Sequence, residues 1–99
     1  MMSEENEYKY DIIPTSRFKK DLDRVVKRNL DTAELNAVVT KLAKGETLEE
    51  KYHDHSLSGK YAGYRDCHIQ PNWILVYRIV EQELVLLLYR TGTHSDLFE

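Results

Sequence analysis

Residues 61–91 read YAGYRDCHIQPNWILVYRIVEQELVLLLYRT, and this stretch decides the fold. Residues 61–69 predict a strand: Tyr64, Asp66 and His68 alternate onto one face, Arg65, Cys67 and Ile69 onto the other. Gln70-Pro71-Asn72 is turn chemistry, since Pro presets its φ and Asn accepts tight backbone. Residues 73–80 are apolar on both faces, as a strand inside a sheet should be. Glu81-Gln82 predicts a hairpin turn, although it lacks the glycine of the strongest signal. Residues 84–91 form another strand with two apolar faces. Gly92 then releases the chain, and Ser95 caps a last turn that ends at Phe98.

Working back toward the N-terminus, residues 46–60 read as a polar connection with little regular structure. A loop this long in a small protein usually carries function. Before it come two helices. In the first, Thr15 or Ser16 is the cap, and Phe18, Leu22, Val25 and Val26 make an apolar stripe. In the second, Asp31 and Glu34 resemble a capping box, Leu35, Val38, Val39 and Leu42 form the stripe, and Gly45 is the stop. The short link makes the pair an antiparallel hairpin. Residues 8–13 alternate as a strand that Pro14 ends, and residues 1–7 are a frayed tail. The order is strand, helix, helix, strand, strand, strand. This is an α+β fold: an N-terminal strand and a two-helix hairpin packed on a small, mainly antiparallel sheet.

The 99 residues suit a single domain spanning 1–99. A hydrophobic share of 41% and a charged share of 31% are those of a soluble globular protein. No apolar run approaches a bilayer span, the acidic start is not a signal peptide, and Cys67 has no partner for a disulfide. These features point to the cytoplasm and away from a membrane. Net charge is −3, but three of the 17 acids (Glu4, Glu5 and Glu7) lie in residues 1–7, leaving 14 acids against 14 Lys and Arg. A neutral body predicts no strong charge-driven grip on phosphate backbone.

Residues 53–73 concentrate the chemistry. They hold His53, His55 and His68, three of the four histidines, with Lys60, Arg65 and the one tryptophan, Trp73. The segment 90–98 echoes it with Arg90, His94 and Phe98. Paired histidines can serve as base and acid in one reaction, cations can stabilise a phosphoryl group, and aromatic rings can stack bases. That set suits RNA cleavage without a metal, in which the 2′-hydroxyl attacks the adjacent phosphate and leaves a 2′,3′-cyclic phosphate and a 5′-hydroxyl. The competing chemistry is a zinc site from His53-Asp54-His55 with His68 or His94. An HxH without Cys or Glu in register is a common accident, so no metal or other cofactor is assigned. The plainest competing reading is that these are surface or core histidines.

Three blocks carry a resemblance. Residues 52–59 (YHDHSLSG), 63–77 (GYRDCHIQPNWILVY) and 90–98 (RTGTHSDLF) resemble the YafQ branch of the RelE/ParE superfamily, the toxin halves of bacterial type II toxin–antitoxin pairs. The resemblance covers about residues 8–99 and implies a RelE-like fold. It implies a ribosome-dependent mRNA endoribonuclease that cuts in the A site and is neutralised by a cognate antitoxin. Operator DNA would be bound only together with that antitoxin. Carried over, His94 is the general acid and His68 or His55 the base, while Arg90 stabilises the phosphate. Trp73 and Phe98 shape and stack the site. Arg65 and Lys60 join them in substrate binding. Arg65 has pairing with an acid as its competing role, and Arg90 a salt bridge to Glu81 or Asp96. His53 falls on no catalytic position. Asn72 stands where the family often has Asp, and Asn cannot act as a base. Two alternatives remain open. One is a ParE-like toxin that binds a protein target and cuts nothing, which would need no site histidines. The other is a catalytically weak relative that acts as corepressor with its antitoxin.

Overall fold

The two-sided apolar run Trp73–Val80 becomes the middle strand of the sheet. The computed structural model describes residues 8–98; the segment 1–7, read above as a frayed tail, lies outside the described residues. In chain order the elements are β1 (Asp11–Pro14), α1 (Ser16–Lys27), α2 (Thr32–Ala43), β2 (His55–Ser56), β3 (Arg65–Gln70), β4 (Trp73–Val80), β5 (Val85–Gly92) and α3 (His94–Phe98). Single 3₁₀ turns occupy Glu50–Tyr52, Gly59–Tyr61 and Glu81–Glu83. The sheet order is β1-β5-β4-β3-β2, with β1 parallel to β5 and every other pair antiparallel. Among the described residues no helix is long and apolar enough to cross a membrane.

The helices cover one face. Phe18 and Val25 from α1 and Leu35, Val38, Val39 and Leu42 from α2 pack with Cys67, Ile69, Trp73, Leu75, Tyr77, Leu86 and Leu88. The other face has a smaller apolar cluster of Ile74, Val76 and Leu97, flanked by Leu57, Tyr64 and Tyr89. Asp66 and His68 stand in register with Val76 and Ile74, so they belong to the face the two helices leave open.

Four expectations shift. β1 starts at Asp11 because the Lys9 and Tyr10 amides are drawn to the Ala43 carbonyl at the end of α2. β3 starts at Arg65 because the Tyr61, Ala62 and Tyr64 amides satisfy local turns. The stretch 46–60 is not structureless, since His55–Ser56 pairs with Arg65–Asp66 as an outer strand. In α1 the stripe runs through Asp21 and leaves Val26 half exposed, because positions 18, 21, 22 and 25 are the ones that point at the sheet. Leu84 holds the positive φ of 53° that a glycine would usually supply after the 81–83 turn.

Asp21 is only 3% exposed and ties α1 to the end of β5. Its two oxygens accept from Arg90 Nε at 2.6 Å and Nη2 at 3.1 Å, and from the Thr91 amide at 3.1 Å. Thr91 Oγ1 then accepts from Trp73 Nε1 and donates to the Ile74 carbonyl, both at 2.8 Å. Removing one partner of such a pair strands the other charge in a low-dielectric setting, which costs about 3–5 kcal/mol. Asp21→Ala is therefore expected to lower the unfolding free energy by about that amount in urea denaturation. A loss below about 1 kcal/mol would show the link to be peripheral.

Candidate active site

The chain delivers its histidines from three separate elements. His53 follows the 50–52 turn in a left-handed conformation, φ 48°. The next residue, Asp54, turns inward. It accepts from Arg65 Nε at 3.3 Å and Nη2 at 3.2 Å, and from the Tyr77 hydroxyl. Pinning Asp54 leaves its two neighbours on the outer side. His55 lies in β2 directly opposite Asp66, and its Nδ1 is 2.8 Å from the His53 carbonyl oxygen. His68 comes from β3 just before a bulge at Ile69, where two residues of β3 face one of β4. Bulges of this kind re-aim side chains beside functional sites.

His94 opens α3. Thr93 caps this turn, not the expected Ser95: Thr93 Oγ1 accepts from the Asp96 amide at 3.1 Å, and Asp96 Oδ2 accepts from the Thr93 amide at 3.0 Å. The bend into it needs Gly92, at φ 151°, because a Cβ there would lie 2.9 Å from Asp96 Oδ2. Arg28 locks the same carboxylate from the end of α1, at 2.9 Å.

The result is a row of rings. His68 meets His53 edge-on at 5.5 Å between centroids and His94 at 5.6 Å. His94 meets Phe98 at 6.0 Å, and Phe98 meets Tyr61 at 5.4 Å. Behind the row lies Asp66, 2% exposed, with Oδ1 3.2 Å from His55 Nε2. That approach lacks the geometry of a hydrogen bond, and Oδ1 has no hydrogen-bond partner among the described residues. Burial holds the Asp66 carboxyl above the usual carboxylate range, against the pull of positive charge on His55, His68 and His94. Burial also lowers the pKa of His68, opposed by Asp66 and reinforced by charge on His94, His53 and His55.

Of the residues assigned from sequence, His55, His68, His94 and Phe98 come together here. Trp73 does not. It is 1% exposed, inside the core under the helices, with its indole N–H spent on Thr91, so no face is left for a base. Arg65 is paired with Asp54, and Lys60 lies 5.5 Å from the Tyr61 ring at the far end of the row. Arg90 pairs with Asp21 and not with Glu81 or Asp96, which are held by Tyr10 and Lys9 and by Arg28. Sequence reasoning missed three residues. Asp66 was visible only through its alternation with His68. His53 was set aside, yet touches His68. Tyr61 carried no signal, because its neighbour Phe98 is remote in the chain. Cys67 is a buried core thiol whose pKa burial pushes up, which makes it a poor nucleophile.

The family model for the bacterial toxin of type II toxin–antitoxin systems, YafQ, matches residues 10–99. The chain belongs to the YafQ family. The mRNA interferase toxin YafQ of Escherichia coli (strain K12) is 38% identical over 89 residues, which is 89% of this chain and 95% of that protein. YafQ in the crystal structure of the E. coli DinJ–YafQ toxin–antitoxin complex superimposes with a TM-score of 0.83 at 37% identity, covering 92% of this chain and 99% of that one. A metal-bound toxin from Helicobacter pylori gives a TM-score of 0.85 at 43% identity, covering 90% and 99%. The α+β, RelE-like fold expected of a YafQ-type toxin is thus present, with β2 added to the anticipated order and the anticipated last turn formed by α3. Among the described residues no group of three or more His, Cys, Asp or Glu is placed to hold a metal ion.

Two pH effects follow. Arg28, then the Thr93 amide, pull the Asp96 pKa down from 3.8 to about 2. A depressed carboxylate stabilises the fold above its unfolded value, so the lock on α3 is lost as pH falls from 3.8 toward about 2. Arg28→Ala should shrink that acid-side step in a melting-temperature profile, leaving the part that Thr93 contributes. Asp66 has the opposite sign: its raised pKa costs stability once pH rises past the carboxylate range. Asp66→Asn is expected to leave the melting temperature at pH 7 unchanged or higher, with the difference closing toward pH 4. A fall at pH 7 would mean the carboxylate is kept for stability.

Proposed function

We propose that this chain is an mRNA interferase that cuts by acid–base catalysis, and that a cognate antitoxin neutralises it. The observation that carries the reading is His68 standing between His53 and His94, with ring centroids near enough for one phosphodiester to meet two imidazoles. One imidazole takes the 2′-hydroxyl proton as that oxygen attacks phosphorus. Another protonates the departing 5′ oxygen. The lowered pKa of His68 supports a base role, because a base must be neutral at the working pH. His94, on the other side, is then the acid. Asp66 would steady positive charge on His55 beside them, through proximity and not through a hydrogen bond. It also supplies a carboxylate near the histidines in a chain that has Asn72 where relatives often have Asp.

Arg90 serves as an electrostatic support for the phosphate, with Nε and Nη2 already fixed on Asp21. Phe98, 37% exposed and backed by Tyr61, offers a stacking face. The E. coli relatives, named as an interferase and as one half of a DinJ–YafQ complex, support the activity and the antitoxin partner. The remaining parts of the reading are cleavage on the ribosome, in the cytoplasm, without a metal, and operator binding only with the antitoxin.

The test is induced expression of the native chain and of His94→Ala in bacteria, with 5′ ends mapped on a reporter message. The native chain should halt growth and make translation-dependent cuts. His94→Ala should lose about 10²–10⁴-fold of the cutting. In a purified translation system with chelator present, the acid limb of the rate should lie below pH 6.5, the ordinary histidine value, since the base titrates low. Growth arrest without cuts would favour a toxin that binds a protein target. Neither arrest nor cuts would favour the corepressor. Loss of cutting in chelator would overturn the metal-free part alone.

A further inference from the structure

One end of the ring row opens into a cleft of about 740 Å³, within the range of about 300–1,000 Å³ usual for small-ligand sites. β2 is only two residues long and pairs with Arg65 and Asp66, so among the described residues the rest of β3 has no outer strand. The cleft lies along this open edge. Ile69 and Pro71 give it apolar walls, Tyr52 an aromatic one, and His68 borders it on the side of the proposed chemistry. Gln70 and Glu34 also line it.

Glu34 is the telling residue. Its position three residues after Asp31 is that of the return partner in a capping box. Asp31 does its share, accepting from the Ala33 amide at 2.9 Å. The Glu34 carboxylate instead points to Tyr52, whose hydroxyl donates to Oε2 at 3.1 Å. Burial first, and Glu34 second, raise the Tyr52 pKa and keep the phenol a donor. Among the described residues Oε1 has no such bond, so the cleft presents a carboxylate acceptor beside apolar residues. Lys51 lies over the Tyr52 ring at 5.2 Å, a cation at the rim where a backbone phosphate would pass.

We propose that this cleft holds the base next to the scissile phosphate, and that Glu34 selects a base with an exocyclic amino group over uracil. The proposal rests on the nuclease reading and assigns its specificity pocket. Adenine, cytosine and guanine each offer an amino group on the edge that faces a pocket wall. Uracil has no amino group and offers there only its N3–H, flanked by two carbonyl oxygens that the carboxylate repels. Gln70, whose amide both donates and accepts, can complete the edge. Tyr52 and Ile69 are only 8% and 4% exposed, so the walls set the shape of the cleft and leave discrimination to Glu34.

The experiment has two arms. In the first, cut sites are mapped for the native chain, Glu34→Gln and Gln70→Ala on messages that carry each base on either side of the cut. Native cutting should disfavour uracil on one side by about tenfold or more, the scale of one good polar base contact. Glu34→Gln, which can also donate, should bring uracil to within about threefold of the other bases. Unchanged base preference in Glu34→Gln, or no native bias against uracil on either side, would overturn the proposal. In the second arm, adenosine and uridine 3′-monophosphates are titrated into the purified protein and amide shifts are followed by NMR. Adenosine should perturb Tyr52 and Gln70 more than uridine does, and Glu34→Gln should narrow the gap. Equal perturbation by both, or none, would overturn the pocket even if the native chain cuts. A selective response from a chain that makes no cuts would uphold the pocket and sink the nuclease reading. Thermal melts of each variant confirm that the protein compared is folded.

Discussion

A carboxylate buried on the sheet side of α1 governs how the active end of the molecule is assembled. Asp21 takes two hydrogen bonds from Arg90 and one from the Thr91 amide, and thereby fixes where β5 ends. Thr91 passes that position to Trp73 and the Ile74 carbonyl on β4. One residue later Gly92 bends the chain, and two residues later the Thr93–Asp96 cap presents His94. Arg28 draws the same cap back to the end of α1. The first helix thus holds the turn that carries His94 at two points about one helix half apart in sequence, and neither point is apolar. Packing supplies most of the stability of such a fold, but it does not by itself fix where a hinge residue sits. The polar links do.

The opposite side of the site is organised by the same device. Asp54 is the one residue of the HDH triplet that faces the protein, and it is satisfied by Arg65 and Tyr77. Its two neighbours are therefore presented outward, one toward His68 and the other toward Asp66. Asp66 differs in kind from Asp21 and Asp54. It is as buried as Asp21, and more than Asp54, but leaves one oxygen without a hydrogen bond, and burial raises its pKa. A carboxylate kept in that condition is a stability cost that makes sense where positive charge gathers during a reaction.

How far the sequence revealed this depended on the range of the interaction. The β4 run, the α2 stripe and the turn at Pro71 are local patterns, and they appear where the pattern put them. His68 could be assigned a face because strand alternation is local too. Trp73 defeated the same reasoning, since its residue type suits stacking equally well in a site or in a core. Only its partner Thr91, 18 residues away, decides between them. Asp21 was hidden for a related reason: a charged residue in an apolar stripe looks like a gap until Arg90, 69 residues on, is seen to fill it. Lys60, Arg65 and Arg90 are all assigned to the site from sequence, with pairing to an acid as the competing role of the two arginines. Two of the three turn out to be held by acids from elsewhere in the chain.

That last point bears on how a neutral protein could act on RNA. With Arg65 and Arg90 engaged, fewer cations face the open side than the composition suggests, and a grip made of phosphate contacts would be weak. What the open side offers instead is aromatic surface: Phe98, 37% exposed and backed by Tyr61, at one end of the ring row. Stacking tolerates salt and does not need net charge. A site built this way would bind poorly to RNA free in solution and would gain from a partner that already holds the message extended. On the proposed nuclease reading, a larger assembly that holds the message would supply the phosphate contacts that Arg65, engaged with Asp54, does not.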